Sequence, residues 1–158
     1  GLHKAWNDHL NVADLCVVWS HTAFSPHLNK VDFWNGQFTC FYQTSDQQAW
    51  ANFNGHQLSN NHLISDDDYI RQKIKQIGIG DQIKIEGWLS NYRGQYGGER
   101  GTSVIRTDTG NGACETIYVN DVQILKSYTS YWKLAMYTSL CVFLLSIISY
   151  FKAPITND

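Results

Sequence analysis

The 158-residue chain is predicted to be mainly β with minor α: a small antiparallel OB-like barrel followed by one C-terminal transmembrane helix. Three observations predict this. Short runs rich in β-branched and aromatic residues recur between clusters of Asn, Gly and Ser, as strands do between turns. Two brief helical patterns interrupt those runs. An uncharged apolar stretch occupies residues 134–151. The division that follows is a β-rich soluble domain over 1–127 and a membrane anchor with a short tail over 128–158.

Residues 12–19 (VADLCVVW) read as a buried strand, broken by the polar stretch around Ser25-Pro26. VDFW-NG-QFTCFYQ follows as a hairpin. Its turn falls on Asn35-Gly36, because these residue types supply the positive φ that both turn positions need. A short helix is predicted over 46–53, ended by Asn54-Gly55. Ser65 is the expected cap of a second helix, with Asp68 as a capping-box-like partner. Ile70, Ile74 and Ile77 form its apolar stripe, and Gly78 and Gly80 close it.

In GDQIKIEGWLSNY, Ile83, Ile85 and Leu89 share one register with Gly87, where a strand can bend. The glycine-rich tip GQYGGERG leads to a strand over 102–107, the loop DTGNGACE and the run TIYVNDVQIL. In that run Ile117 and Val119 hold one register and Val122 and Ile124 the other. The slip at Asn120-Asp121 predicts a bulge or a turn. A strand, a hairpin, two helices and a meander of three strands suit a closed or half-closed antiparallel barrel. The style of GDQIKIEGWL matches OB-type strands.

The anchor, LAMYTSLCVFLLSIISYF, carries no charge. At about 1.5 Å per residue it reaches about 27 Å, enough for the hydrocarbon core. Lys133 and Lys152 bracket it and can snorkel to either interface. Tyr128, Tyr131 and Trp132 at one end and Tyr150 at the other provide aromatic belts, and Pro154 stops the helix. Ser139, Phe143 and Ser146 share one face and are a candidate packing face for other membrane-protein subunits. Alternatively, the serines satisfy themselves on their own backbone. Lys126 and Lys133 outnumber Lys152, which taken literally puts the domain in the cytoplasm. The low charge, the aromatic richness and a start at Gly1, read as a removed upstream piece, favour instead the periplasmic side of a bacterial inner membrane.

Charged residues make up 16% of the chain and the net charge is −2, which excludes electrostatic nucleic-acid binding. Six histidines are scattered without ligand spacing, so neither a metal nor another cofactor is expected. Cys141 lies in the apolar run, leaving Cys16, Cys40 and Cys114. One bridge among them fits an oxidising compartment, and the sequence does not choose the pair. A nucleophilic Cys114 would need partners from elsewhere in the fold.

Four further groups are candidates for chemistry. Asp108-Thr109-Gly110 is the tripeptide of aspartic proteases, and a single copy would have to act as a homodimer. Arg106 and Thr107 precede it where apolar residues are usual, and its turn-forming neighbours favour a plain connection. Asn60, Asn61 and His62 form a polar patch inside LSNNHLI that either positions a ligand or satisfies buried backbone. Arg106, Asp108 and Glu115 are expected to pin the loop ionically. Trp88, Tyr92 and Tyr96 are a candidate aromatic surface for a partner, a saccharide or peptide, or the membrane interface.

The blocks WNDHLNVADLCVVW, LSNNHLI, GDQIKIEGWL and RGTSVIRTDTGNGACETIYVNDVQIL, in that order, resemble a group of uncharacterised bacterial membrane-associated proteins. The resemblance covers most of residues 6–125 and implies a shared domain. In that group a further strand-bearing stretch precedes the first block. No activity, substrate or catalytic residue comes with the resemblance. The function expected is therefore a membrane-anchored, non-enzymatic accessory module of a larger membrane assembly. The alternatives are a homodimeric hydrolase using Asp108 and ligand binding on the barrel face.

Overall fold

A computed structural model describes residues 9–36, 39–94, 98–108 and 113–152. In chain order the elements are β1 (Asn11–Val18), α1 (Ser20–Ala23), β2 (Asp32–Asn35), β3 (Cys40–Gln43), α2 (Gln47–Asn52), β4 (Leu58–Ile64), α3 (Asp68–Lys75), β5 (Gln82–Leu89), β6 (Tyr92–Arg93), β7 (Glu99–Arg100), β8 (Cys114–Lys126) and α4 (Tyr131–Lys152). Four strands form one sheet in the order β1-β4-β8-β5, while β2-β3 and β6-β7 are separate two-stranded hairpins.

The described strands do not close into the predicted OB-like barrel. Strands β1 and β5 are the two edges of the sheet. The face that closure would have turned inward is taken by α3, whose Ile70 and Ile74 pack with Leu63, Val119 and Val122. Nor is the sheet wholly antiparallel: β4 and β8 run parallel, Leu63 opposite Ile117. The expected three-strand meander is replaced by a 13-residue β8 between β4 and β5. No strand forms over 102–107. There Ser103 N still donates to Cys114 O at 3.0 Å, but the amides on either side turn to side chains: Thr102 N donates to Asn91 Oδ1 at 3.0 Å, and Ile105 N donates to Ser103 Oγ at 3.0 Å. Such local bonds compete with a ladder.

The phase slip at Asn120-Asp121 is a bulge: Glu86 pairs with Asp121 and Gly87 with Val119. The extra residue brings Val119 and Val122, three apart, onto the same apolar cluster. Gly87 sits where the backbones close in, since a Cβ there would lie 2.2 Å from the Tyr118 carbonyl oxygen.

The expected hairpin forms, but its turn is not Asn35-Gly36. Asn35 stays in β2, paired with Cys40, and Gly36 N donates to Thr39 O at 2.8 Å, so the reversal falls two residues further along the chain. Neither residue has a positive φ. Asn35 is instead held by its side chain, which donates to Asn60 Oδ1 at 2.7 Å.

Asp46 caps α2 through the Gln48 and Ala49 amides. The cap of α3 is Asp67 rather than Ser65. Ser65 is fully buried at the end of β4, and its hydroxyl accepts from Asp67 N at 3.2 Å. Gly80, with φ of 87°, then turns the chain into β5 against the Tyr128 ring.

Helix α4 has 22 residues, is long and apolar enough to span a membrane, and is not buried against the rest of the protein. Ser130 caps it, its hydroxyl accepting from Lys133 N at 3.2 Å.

Candidate functional site

Alternation along a strand sends residues i and i+2 to the same face. Register sets Asp14 beside His62, Cys16 beside Asn60, Asn60 beside Cys114 and His62 beside Thr116. These side chains therefore share the face opposite α3, and that face is polar. The β2-β3 hairpin is tied over it by the Cys16–Cys40 disulfide, with the two Cα atoms 5.5 Å apart. The β6-β7 hairpin contributes Tyr92 and Arg100, which pair in register.

His62 is the centre of the cluster, with a side-chain exposure of 0%. Its Nδ1 lies 2.6 Å from Asp14 Oδ1 and its Nε2 lies 2.8 Å from the Tyr92 hydroxyl. Arg100 Nη2 is 3.9 Å from the same Asp14 oxygen. Beside this line, Asn60 Nδ2 donates to Cys114 Sγ at 3.1 Å while its carbonyl accepts from Asn35. Thr116 Oγ1 donates to Gly101 O at 3.0 Å and its amide donates to Thr102 Oγ1 at 3.0 Å, joining the segment after β7 to β8. Burial pushes the Cys114 thiol up, against the opposing pull of Asn60 and Arg100. That shift favours the protonated thiol over the thiolate, the nucleophilic form.

The other candidates fall in different places. Asn61 points to the opposite face, half-buried, its amide directed at Ser59 O at 3.4 Å. Trp88 is 68% exposed at the β5 edge, so it and Tyr92, which turns inward to His62, do not form one surface. Tyr96, Thr109 and Gly110 lie outside the described residues. Arg106 stacks over the Trp19 ring, 4.9 Å from its centroid. The Asp108 carboxylate accepts from Ser103 Oγ at 2.6 Å within its own loop. Glu115 is bonded to the Ser59 hydroxyl. Burial raises its carboxyl, with Ser59 and Arg106 pulling down and Asp108 pushing up. The ionic grouping expected of Arg106, Asp108 and Glu115 is thus one of neighbouring charges. Ser139, Phe143 and Ser146 are exposed on α4, and the serine hydroxyls donate to Met136 O and Val142 O of their own helix. Among the described residues, no group of His, Cys, Asp and Glu side chains is placed to hold a metal ion.

Sequence reasoning missed Asp14 and Arg100. A usable signal for Asp14 was present: a lone carboxylate in the apolar strand VADLCVVW needs a buried partner. The chain matches no protein-family model, and it is similar to no curated protein and no solved structure.

Proposed function

We propose that the protein is a single-pass membrane module. Helix α4 anchors it, and the sheet domain stands on the periplasmic side of a bacterial inner membrane as an accessory part of a larger membrane-protein assembly. The observation that carries this reading is the uncovered apolar surface of α4. Leu140, Val142, Phe143, Leu144, Leu145 and Ile148 are each half exposed or more. At roughly 1.5–3 kcal/mol per large apolar side chain, exposure to water would cost about as much as the roughly 5–15 kcal/mol that holds a domain folded. Lipid removes that cost. The serine hydroxyls, satisfied on their own backbone, raise no objection to a hydrocarbon environment.

The side of the membrane rests on the Cys16–Cys40 bridge, since such bonds persist in oxidising compartments. A docking role is supported by the exposed Phe24, Trp34, Phe41 and Trp50 around the β2-β3 hairpin. The aspartic-hydrolase reading draws no support from Asp108, whose carboxylate is engaged by Ser103.

The test uses the exposed loop residue Ser45. In intact spheroplasts, a membrane-impermeant maleimide is expected to label Ser45→Cys, and alkaline carbonate is expected to leave the protein in the membrane fraction. Labelling only after lysis overturns the orientation, and release by carbonate overturns the anchor. Purification in mild detergent as a lone monomer overturns the assembly.

A further inference from the structure

The turn between α3 and β5 carries Ile79, 97% exposed and the most exposed large apolar side chain among the described residues. A lone apolar residue on a surface calls for no explanation. This one is fixed to the start of the apolar helix. Strand β5 begins opposite the end of β8, Gln82 beside Lys126, so the turn sits where the sheet runs on towards α4. The Asp81 carboxylate joins the two segments, accepting from Gly78 N in the turn and from Tyr128 N ahead of α4, each at 2.8 Å. The Tyr128 ring lies against Gly80, where a Cβ would come within 2.8 Å of it.

Reach and charge both point this end of the domain at lipid. Residues 129 and 130 alone separate Tyr128 from α4, a span of at most roughly 10 Å. The interfacial layer on either side of the hydrocarbon core is itself roughly 5–8 Å deep. Tyr131 and Trp132, exposed at the head of α4, belong in that layer when the apolar run from Leu134 enters the core. Lys75 ends α3, Lys126 ends β8 and Lys133 lies in the first turn of α4, and all three are exposed. The Asp81 carboxyl is held down first by the Tyr128 amide, then by that of Gly78, with Lys133 adding a smaller pull. The acid of the turn is thus engaged internally, and the lysines set the sign of the surface.

We propose that this end of the domain is a second membrane contact, with Ile79 and Tyr128 entering the interfacial layer of an anionic phospholipid surface and Lys75, Lys126 and Lys133 lying over its headgroups. The inference rests on the reading of α4 as the anchor. So small a patch would not hold a free protein to a membrane. Tethered by α4, it meets lipid at high effective concentration, and each lysine gains from the negative surface potential. The contact fixes the tilt of the sheet. The β2-β3 hairpin, tied at Cys16 beside the start of β4, then faces away from the bilayer with its exposed aromatic rings.

Methyl NMR of the full chain in lipid nanodiscs tests this with every side chain native. A water-soluble gadolinium chelate broadens isoleucine methyl signals in proportion to their contact with water, and Ile79→Val and Ile105→Val identify two of them. Ile105 lies by the start of β8, since Ser103 N donates to Cys114 O, and is 60% exposed. Ile148 lies within α4. In phosphatidylcholine discs containing phosphatidylglycerol, Ile148 is expected to be shielded and Ile105 to be broadened. Ile79 is expected to be broadened at least about threefold less than Ile105, the population ratio that half-burial of one isoleucine supports. Without a lipid contact the order reverses, because Ile79 is the more exposed of the two. Broadening of Ile79 equal to or above that of Ile105, with Ile148 shielded, overturns this contact and leaves the anchor standing. Broadening of Ile148 to the level of Ile105 overturns the anchor and the contact together. The shielding of Ile79 is expected to weaken in discs of phosphatidylcholine alone and in Lys75→Gln with Lys126→Gln. Shielding indifferent to both overturns the assignment to anionic lipid.

Discussion

On one face of the sheet α3 lays Ile70 and Ile74 against Leu63, Val119 and Val122; on the other, two hairpins lie over Asp14, Asn60, His62 and Thr116. Both faces are buried, by opposite means. The apolar face is held by area and shape, which are non-directional and tolerate small shifts. The polar face is held by bonds with fixed donors and acceptors. Asn60 bonds Asn35 and Cys114 at once, and His62 bonds Asp14 and Tyr92 at once, each partner held by a different side-chain atom. A helix can be seated by the first kind of contact. Two short hairpins, of four and two residues per strand, have little area to offer and are placed by the second.

The largest expected effect is on the apolar face. Leu63→Ala should lower the unfolding free energy by about 3 kcal/mol, the loss of a buried side chain plus its cavity, read from urea unfolding in micelles. On the polar face, Asp14→Ala should cost about 2 kcal/mol by leaving a buried imidazole N–H without its acceptor. Replacing both partners, Asp14→Leu with His62→Phe, should return stability to within about 1 kcal/mol of the wild type. If that pair proves as damaging as Asp14→Ala alone, the distinction between the faces fails.

The smallest effect concerns a charged link between α3 and β8. The Asp121 carboxyl is drawn down to about 2, first by the hydrogen bond from Lys73 and then by that from Gln123. The unfolded carboxyl titrates near roughly 3.9. Because the folded value is the lower, the contribution is complete above about pH 4 and is lost as pH falls from about 4 towards 2. Asp121→Asn should cost a small amount of stability at neutral pH, small because an exposed pair is screened, and its difference from the wild type should fade as pH falls from about 4 towards 2.

Features carried by neighbours in the chain were legible. The stripe of Ile70 and Ile74, the slip at Asn120-Asp121 and the apolar run of α4 each declare themselves within a few residues. The parallel pairing of β4 with β8 joins residues more than fifty positions apart, and no local pattern encodes it. The same holds for the choice of Cys40 as the partner of Cys16. Within the candidate site, Asn60 and His62 stood out as polar groups in an apolar strand. Tyr92 was grouped with Trp88 and Tyr96 as the aromatic residues of one strand and its glycine-rich tip. The chain turns between β5 and β6, so one ring faces solvent and the other faces His62.

Strand β8 leads through residues 127–130 directly into α4, and Asp81 clasps the junction by accepting from Tyr128 N at 2.8 Å. Like β4, it has neighbours on both sides. A tug transmitted from the bilayer along β8 is therefore resisted by the β4 and β5 ladders loaded in shear. Many backbone bonds share the strain at once, where an edge strand would peel away one bond at a time. The domain is mechanically tethered through its centre.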